Sequence, residues 1–201
     1  MTTMRIGVLG TGTVGRTIAG RLEELGHEVR AGSRGSGDYA EAAEHGELVF
    51  NCTAGAGAVD AVTEAAAGLE GKVLVDVSNP LRFDGDGPSL FTGIDDSLGE
   101  QVQRAVPGAR VVKALNTVNA DVMVHPEIVS GEHVVFVCGD DADAKATVTE
   151  LLGGFGWPAG RVVDAGGISA ARATEAYLLI WLKLMGWVGA AHFNIVVQRE
   201  G

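Results

Sequence analysis

The chain has 201 residues, 46% of them hydrophobic and 20% charged, a composition typical of a globular protein with one sizeable domain. Its formal net charge of −11 argues against nucleic acid or an anionic membrane surface as a partner. The longest apolar stretch, residues 176–182, is too short to span a bilayer. The cysteines, Cys52 and Cys138, lack metal-ligand spacing and are expected to be buried, reduced thiols. These features predict a cytoplasmic protein with no membrane contact and no metal site.

The first predicted elements are a strand and a helix joined by a glycine-rich turn. An apolar run at residues 6–9 leads into three glycines spaced G-x-G-x-x-G, and a helical pattern follows at residues 14–25. In this pattern the glycines permit a tight turn, a close approach of backbone to phosphate, and close packing of helix on strand. The positive end of the helix dipole then faces the phosphates. The predicted pyrophosphate site is Gly10, Thr11, Gly12, Thr13, Val14 and Gly15.

The second predicted strand, residues 28–31, indicates which dinucleotide binds. Chains that prefer NAD usually carry Asp or Glu at the end of this strand, where a carboxylate accepts bonds from the ribose hydroxyls. Here the strand is followed by Ser33 and Arg34 instead. A hydroxyl donor and a guanidinium fork suit a 2′-phosphate. The sequence therefore predicts NADP(H) as the cofactor.

The rest of the chain alternates strands with helices. Apolar runs predict strands at residues 48–52, 72–77, 110–115, 134–138 and 161–164, and helical patterns occupy residues 57–69, 97–105, 141–153 and 170–187. Ser97 with Glu100 forms a capping box, and Ser169 is expected to cap the last helix. Residues 81–95 read as a loop, and residues 192–199 as a last strand or an extended tail.

This alternation predicts an α/β fold: a Rossmann-like, doubly wound, mostly parallel sheet with a short helical C-terminal extension. We assign residues 1–166 to the dinucleotide-binding domain. Residues 167–201 form the extension, which is expected to complete the acceptor site and a dimer interface, because its apolar helix must be buried.

Polar residues follow three of the predicted strands. Because the carboxyl ends of parallel strands meet at one edge of a sheet, we expect these residues to line the ribose and nicotinamide end of the dinucleotide. They are Thr53, Ala54 and Gly55, then Ser78 and Asn79, then Asn116 and Thr117. The segments after the sixth and seventh strands, residues 139–141 and 166–169, are expected at the same edge.

The side chains at this edge are neutral, which favours positioning over acid–base chemistry. Lys113 lies within a strand, which favours a core or ion-pair role. His45, His125 and His133 are expected to be solvated, which leaves His192 as the histidine that could face the site. We assign no catalytic side chain, because hydride transfer between two stacked redox cofactors needs mainly positioning and electrostatics.

Several motifs together resemble the NADPH-dependent reductases of coenzyme F-420, a 5-deazaflavin. The resemblance rests on residues 10–15, 32–34, 137–141 and 164–166, and residues 76–81, 112–119 and 172–178 look like an actinobacterial branch. It implies that Thr11, Ser33 and Arg34 hold the adenosine and its 2′-phosphate. It also implies that residues 167 to about 192 build the deazaflavin pocket and that the protein is a homodimer.

The chain departs from the archaeal members of that family at two places. Asn116 stands where those enzymes have His, and Gly35-Ser36-Gly37-Asp38 follows Arg34 where they carry a lysine. The predicted function is hydride transfer between NADPH and a small-molecule redox acceptor, a deazaflavin of the F-420 type. Two alternatives are a small NADPH-dependent imine or keto reductase and a non-catalytic NADP-binding sensor. Imine reduction without a deazaflavin would favour the former, and NADPH binding without turnover the latter.

Overall fold

The computed structural model describes residues 2–34, 38–85 and 87–198. Within them the strands are β1 (Arg5–Leu9), β2 (Glu28–Gly32), β3 (Leu48–Asn51), β4 (Val73–Asp76), β5 (Leu81–Asp84), β6 (Gly87–Leu90), β7 (Arg110–Ala114), β8 (Val135–Cys138) and β9 (Val162–Asp164). The helices are α1 (Thr13–Glu24), α2 (Asp38–His45), α3 (Ala58–Glu64), α4 (Ala66–Leu69), α5 (Leu98–Ala105), α6 (Ala120–Val124), α7 (Ala142–Phe155) and α8 (Ala171–Val188).

The main sheet has the order β2-β1-β3-β4-β7-β8-β9. Strands β1, β2, β3, β4 and β7 are parallel, which confirms the predicted Rossmann-like, mostly parallel sheet. Strand β8, however, is antiparallel to β7, and β9 follows the direction of β8. Residues 139–141 and 166–169 therefore do not lie at the carboxyl edge of the parallel strands, and that expectation was wrong.

The reversal at β8 has a physical reason in the connection that precedes it. Helix α6 has 5 residues, which at 1.5 Å per residue is about 7.5 Å, whereas β7 runs about 16 Å. The 20-residue connection, residues 115–134, is long enough for a parallel crossover, but its helix does not cover the length of β7 and the chain does not return to the opposite edge. The next strand consequently starts at the edge where β7 ends.

Both faces of the sheet are covered by apolar side chains, as the continuous apolar runs predicted. Successive strand residues alternate between the faces. On one face Val8, Phe50 and Val75 pack with side chains of α1, α6 and α7. On the other, Val49 and Leu74 pack with α2, α3 and α5.

Several local elements differ from the sequence expectation, among them the five-residue helix α6, which no helical pattern predicted. Helix α2 was missed, because its eight residues are rich in Ala and Glu and carry a short apolar pattern. The predicted helix at residues 57–69 is divided into α3 and α4. Residues 81–84 and 87–90, within the segment 81–95 expected as a loop, form the antiparallel pair β5–β6, and β6 lies against α8.

The C-terminal helix is present as α8, although Ser169 does not cap it. Ser169 lies inside a short 3₁₀ turn, Ile168–Ala170, that runs directly into α8. The tail after α8 forms no helix or strand within the described residues. Its Ile195 carbonyl accepts a bond from the Val134 N–H at 3.0 Å, beside the start of β8. No helix in the described part of the chain is long and apolar enough to cross a membrane.

Candidate functional site

The turn between β1 and α1 has the geometry that the glycine pattern predicted. Gly10 has φ of +108°, and a Cβ there would lie 2.9 Å from the Cys52 carbonyl oxygen. A Cβ at Gly15 would overlap the Gly10 carbonyl oxygen. At Gly12, by contrast, a Cβ would meet no atom of the described residues within 4 Å. The open space beside Gly12 therefore suits the approach of a phosphate.

Helix α1 begins directly behind this turn. Gly12 is its N-cap residue, and no side chain of the described residues caps the helix there. Its first N–H groups point away from the helix body without intrahelical partners, which is the arrangement that binds phosphate groups. Arg16 donates from Nη1 to the Thr11 carbonyl oxygen at 2.7 Å and so holds the turn.

Arg34 lies at the adenosine side of the same edge. The end of β2 is joined to the glycine turn by a bond from the Gly10 N–H to the Gly32 carbonyl oxygen at 2.8 Å. The exposed Arg34 side chain reaches the turn after β3, where a Cβ at Gly57 would overlap its Nη2. Among residues 2–34, 38–85 and 87–198, no carboxylate forms an ion pair with Arg34. Its charge is thus available to an anionic ligand, whereas residues 35–37 lie outside the described residues.

At the other side of the glycine turn, a row of buried polar side chains crosses the ends of three strands. Asn51, Asp76 and Lys113 are register partners on β3, β4 and β7, so they lie side by side on one face. Asn51 donates from Nδ2 to Asp76 Oδ1 at 2.9 Å, and Lys113 donates from Nζ to Asp76 Oδ2 at 2.8 Å. The Lys113 ion pair confirms the role that its place in a strand indicated.

Glu175 on α8 completes this row. Lys113 Nζ lies 2.8 Å from Glu175 Oε1, and both side chains are at most 1% exposed. The N–H groups of Leu98 and Gly99, at the start of α5, donate to the same carboxylate at 2.9 Å each. Burial lowers the pKa of Lys113, but the carboxylates of Asp76 and Glu175 outweigh burial and hold the pKa above its ordinary value. We call Asn51, Asp76, Lys113 and Glu175 the polar row.

A second contact joins α5 to α8 near this point. Ser97 caps α5, accepting a bond from the Glu100 N–H at 3.1 Å, which confirms the predicted capping box. Arg172 on α8 donates from Nε to Glu100 Oε2 at 2.8 Å. Hydrogen bonding from Arg172 lowers the pKa of Glu100. The C-terminal helix is therefore attached to β7 by a buried ion pair and to α5 by a partly exposed one.

The predicted nicotinamide-end residues are brought together at the carboxyl edge. Ser78 is buried, and Asn79 exchanges bonds with Asn116: Asn79 Nδ2 donates to the Asn116 carbonyl oxygen at 2.8 Å, and Asn116 Nδ2 to Asn79 Oδ1 at 3.1 Å. A Cβ at Gly55 would overlap the Asn79 carbonyl oxygen, so the turns after β3 and β4 touch. Thr53 and Ala54 belong to the turn after β3, and Thr117 belongs with Asn116 to the turn after β7.

Backbone strain marks the end of β7. Leu115 has φ of +62°, in the left-handed region that leucine rarely adopts. Such strain persists only where the surrounding structure imposes it, and it clusters at ligand sites. Here it turns the chain so that Asn116 faces Asn79.

Three members of the polar row were missed by sequence reasoning: Asn51, Asp76 and Glu175. The first two end otherwise apolar strands, which was a usable signal, because a polar group in a buried strand needs a partner. Glu175 gave no local signal, since it lies on a helix whose orientation the sequence does not reveal.

The histidines and cysteines were predicted with mixed success. His133 is buried rather than solvated, with its ring edge-on to Trp157 at a centroid distance of 5.1 Å. His192 is exposed and its Nε2 lies 2.8 Å from Asp121 Oδ2. Both cysteines are buried as predicted, and burial raises the pKa of Cys138 to about 12. In the described residues no three or more His, Cys, Asp or Glu side chains are grouped to hold a metal ion.

Fold and site together define a dinucleotide-binding protein of the Rossmann type. Residues 5–80 match the family model described as NADP oxidoreductase, coenzyme F420-dependent. The crystal structure of a proposed F420-dependent NADP reductase from Arthrobacter sp. FB24 is 45% identical, with a TM-score of 0.93 over 98% of this chain and 100% of that one. The chain therefore belongs to the family of coenzyme F420-dependent NADP oxidoreductases and is an NADP-dependent oxidoreductase.

Two further proteins are similar over most of the chain. The metalloreductase STEAP3 of Rattus norvegicus is 30% identical over 186 residues, which are 86% of this chain and 36% of the metalloreductase. The chain thus spans about a third of the length of that relative. A reductive aminase from Aspergillus terreus shares the fold with 16% identity and a TM-score of 0.64, over 94% of this chain and 62% of the aminase.

Proposed function

We propose that the protein transfers hydride between NADPH and a deazaflavin of the F-420 type. The observation that carries this proposal is the chemistry of the carboxyl edge, where the converging side chains of Ser78, Asn79 and Asn116 are neutral. Hydroxyls and amides hold rings and carbonyl groups in place but exchange protons poorly at neutral pH. Such an edge suits a reaction between two redox rings, which needs orientation more than acid–base catalysis.

The residues present fit an NADP(H) molecule laid across this edge. In the proposal the phosphates contact the turn of residues 10–15, and the 2′-phosphate contacts Ser33 and Arg34. The ribose and nicotinamide lie against Thr53, Ala54, Gly55, Ser78, Asn79, Asn116 and Thr117. Support comes from the open approach at Gly12 and the exposed guanidinium of Arg34. When bound, the nicotinamide and the deazaflavin supply the hydride chemistry, and the protein binds and orients both rings.

The proposal gives residues 167–201 the acceptor side of the site and a homodimer interface. The support is that α8 leaves large apolar side chains uncovered, with Ile180 51% and Trp187 83% exposed. An apolar helix face of this kind is usually buried against another molecule. The proposal also includes a cytoplasmic location, supported by two buried free thiols.

The test is anaerobic oxidation of NADPH with and without purified F-420, followed at the deazaflavin absorbance band. We expect reduction on the order of ten turnovers per second or faster, a usual range for enzymes acting on their own substrate. A reaction without protein is the control. Reduction of an imine without any deazaflavin would instead identify the protein as an imine reductase. NADPH binding without turnover of either acceptor would identify it as a binding module.

A further inference from the structure

The order of the strands fixes which turns face which half of the dinucleotide. Strand β1 carries the phosphate turn, β2 lies on one side of it, and β3, β4 and β7 lie on the other. Arg34, the group suited to the 2′-phosphate, follows β2. The nicotinamide half must therefore extend over β3 and β4. With about 4.8 Å between strands, the end of β4 lies about 10 Å from the phosphate turn, and Ser78 follows that end.

The polar row determines which way the Ser78 hydroxyl points its hydrogen. Asp76 Oδ1 accepts bonds from the Ser78 N–H at 3.2 Å, from Ser78 Oγ at 2.7 Å and from Asn51 Nδ2 at 2.9 Å. Lys113 donates to Oδ2 of the same carboxylate. With four donors converging on it, Asp76 acts as an acceptor only, so the Ser78 hydroxyl has to donate its hydrogen to it. Only the lone pairs of that hydroxyl remain for a ligand.

Thr53, at the neighbouring turn, is oriented in the same way. The Thr53 N–H donates to Asn51 Oδ1 at 3.3 Å, which identifies that atom as the amide oxygen. Thr53 Oγ1 then donates to the same oxygen at 2.7 Å. Two hydroxyls in succession thus have their hydrogens committed to the polar row, and their lone pairs remain for other donors.

The buried residues of the polar row keep the Ser78 and Thr53 hydroxyls in this orientation. Lys113, Asp76 and Asn51 are at most 1% exposed, so water does not compete for their bonds. Glu175 holds Lys113 from the opposite side at 2.8 Å and is itself held by two N–H groups at the start of α5. The orientation of Ser78 consequently depends on a chain of bonds that reaches from β3 to α8.

We propose that Ser78 accepts a hydrogen bond from the amine of the nicotinamide carboxamide, and that Asp76 and Lys113 are positioning residues that act through it. The carboxamide is the group on the reactive ring that carries hydrogen-bond donors, its N–H groups. The Ser78 hydroxyl oxygen, a buried acceptor at the end of β4, therefore favours a ring that carries a carboxamide. This inference rests on the NADP(H) binding of the proposed function, but not on the identity of the acceptor.

The test measures binding of NADP⁺ and of its 3-acetylpyridine analogue, in which a methyl group replaces the carboxamide amine. For Ser78→Ala we expect about a five- to tenfold loss of affinity for NADP⁺, the range of one neutral hydrogen bond. The affinity for the analogue should change by less than about twofold, since it has no amine to donate. Thr63→Val is the matched control, because it removes a hydroxyl that bonds the Val59 carbonyl oxygen within α3.

Asp76→Asn tests the positioning role. With its oxygen kept toward the Lys113 ammonium, its Nδ2 takes the place of Oδ1 and donates to the Ser78 hydroxyl, which then is free to turn its hydrogen away, so the preference for NADP⁺ over the analogue should largely disappear. A residue with a structural role alone would lower the melting temperature without changing this ratio. If Asp76→Asn does not fold, the affinities of Ser78→Ala for NADP⁺ and for the analogue are sufficient to test the inference.

Equal losses for both ligands in Ser78→Ala, or an unchanged affinity for NADP⁺, would overturn the inference while leaving NADP(H) binding in place. Failure of the unmodified protein to bind NADP⁺ would overturn the proposed function together with this inference. Failure to reduce F-420 would affect only the proposed function, since no acceptor is present in the binding experiment.

Discussion

The two ends of the proposed nucleotide groove, called the phosphate end and the nicotinamide end for the groups we propose they bind, are built in opposite ways. The phosphate end consists of backbone and one exposed side chain: the turn at residues 10–15 and Arg34, which is close to it in sequence. The nicotinamide end depends on four buried side chains, Asn51, Asp76, Lys113 and Glu175, which come from four elements spread over more than a hundred residues. The first end is specified by local conformation, the second by tertiary packing.

This difference predicts different consequences of mutation. At the phosphate end, a Cβ on Gly12 would contact nothing in the described structure, so a substitution there can block the ligand without disturbing the turn. At the nicotinamide end, the groups that orient the ligand-facing hydroxyls also join α8 to the sheet. Binding and stability should therefore separate at one end and remain coupled at the other.

The largest expected effect on stability is that of Lys113→Met. The substitution leaves the carboxylates of Asp76 and Glu175 buried 2.8 Å from a position that no longer carries a positive charge. Breaking a buried ion pair from one side typically costs about 3–5 kcal/mol. The free energy of unfolding, measured by urea denaturation, should fall by that amount.

Arg5→Met is the control for this prediction. Arg5 pairs with Glu47 at 3.1 Å, but both side chains are about half exposed, so the loss should stay below about 1 kcal/mol. Similar losses for the two variants would mean that the polar row contributes no more than a surface pair. The two ends of the groove would then differ in nucleotide binding but not in their contribution to stability.

The converse case is Gly12→Ala. A methyl group at Gly12 occupies the open space where the phosphates approach, so it should displace at least two charge-assisted bonds, each worth about 1.5–3 kcal/mol. We expect NADPH affinity, measured by fluorescence titration, to fall by more than about 3 kcal/mol. The free energy of unfolding should change by less than about 1 kcal/mol, the cost of Ala at an N-cap.

Two glycines within α1 provide the controls for Gly12→Ala. Gly20→Ala meets no atom of the described residues within 4 Å and should bind NADPH normally, with stability equal or up to about 1 kcal/mol higher. Gly15→Ala forces a Cβ onto the Gly10 carbonyl and should lose both stability and binding. If Gly12→Ala behaved like Gly15→Ala, the space beside Gly12 would not be a ligand approach.

The features that could be predicted from the sequence are those that depend on local conformation, as the phosphate end does. The seven sheet strands, the phosphate turn, the capping box at Ser97 and the long helix α8 were all predicted, because each depends on residues close together in the chain. The reversed direction of β8 was not, since it depends on the path of the 20-residue connection from β7 to β8. Local patterns specify elements, whereas the direction of a strand depends on the path between elements.

The candidate site shows the same limit. Ser78, Asn79 and Asn116 were predicted at one edge because parallel strands end together, and the structure does bring them together. The partners that orient them could not be predicted as a set. Glu175 reaches Lys113 only because α8 packs against α5 and β6, and that packing is not encoded within either segment alone.

The smallest effect concerns specificity at the adenosine side, where Arg34→Ala should cost about 1.5–3 kcal/mol of NADPH affinity, the range for a bond to a charged group. NADH lacks the 2′-phosphate, so its affinity should change little, and paired titrations with the two nucleotides measure the difference. Arg30→Ala is the control, because Arg30 lies on β2 but pairs with Glu41. Equal losses of NADPH and NADH would show that Arg34 supports the turn rather than the phosphate. The selection of NADPH over NADH would then depend on other residues. The phosphate end would no longer differ from the nicotinamide end in separating binding from structural support.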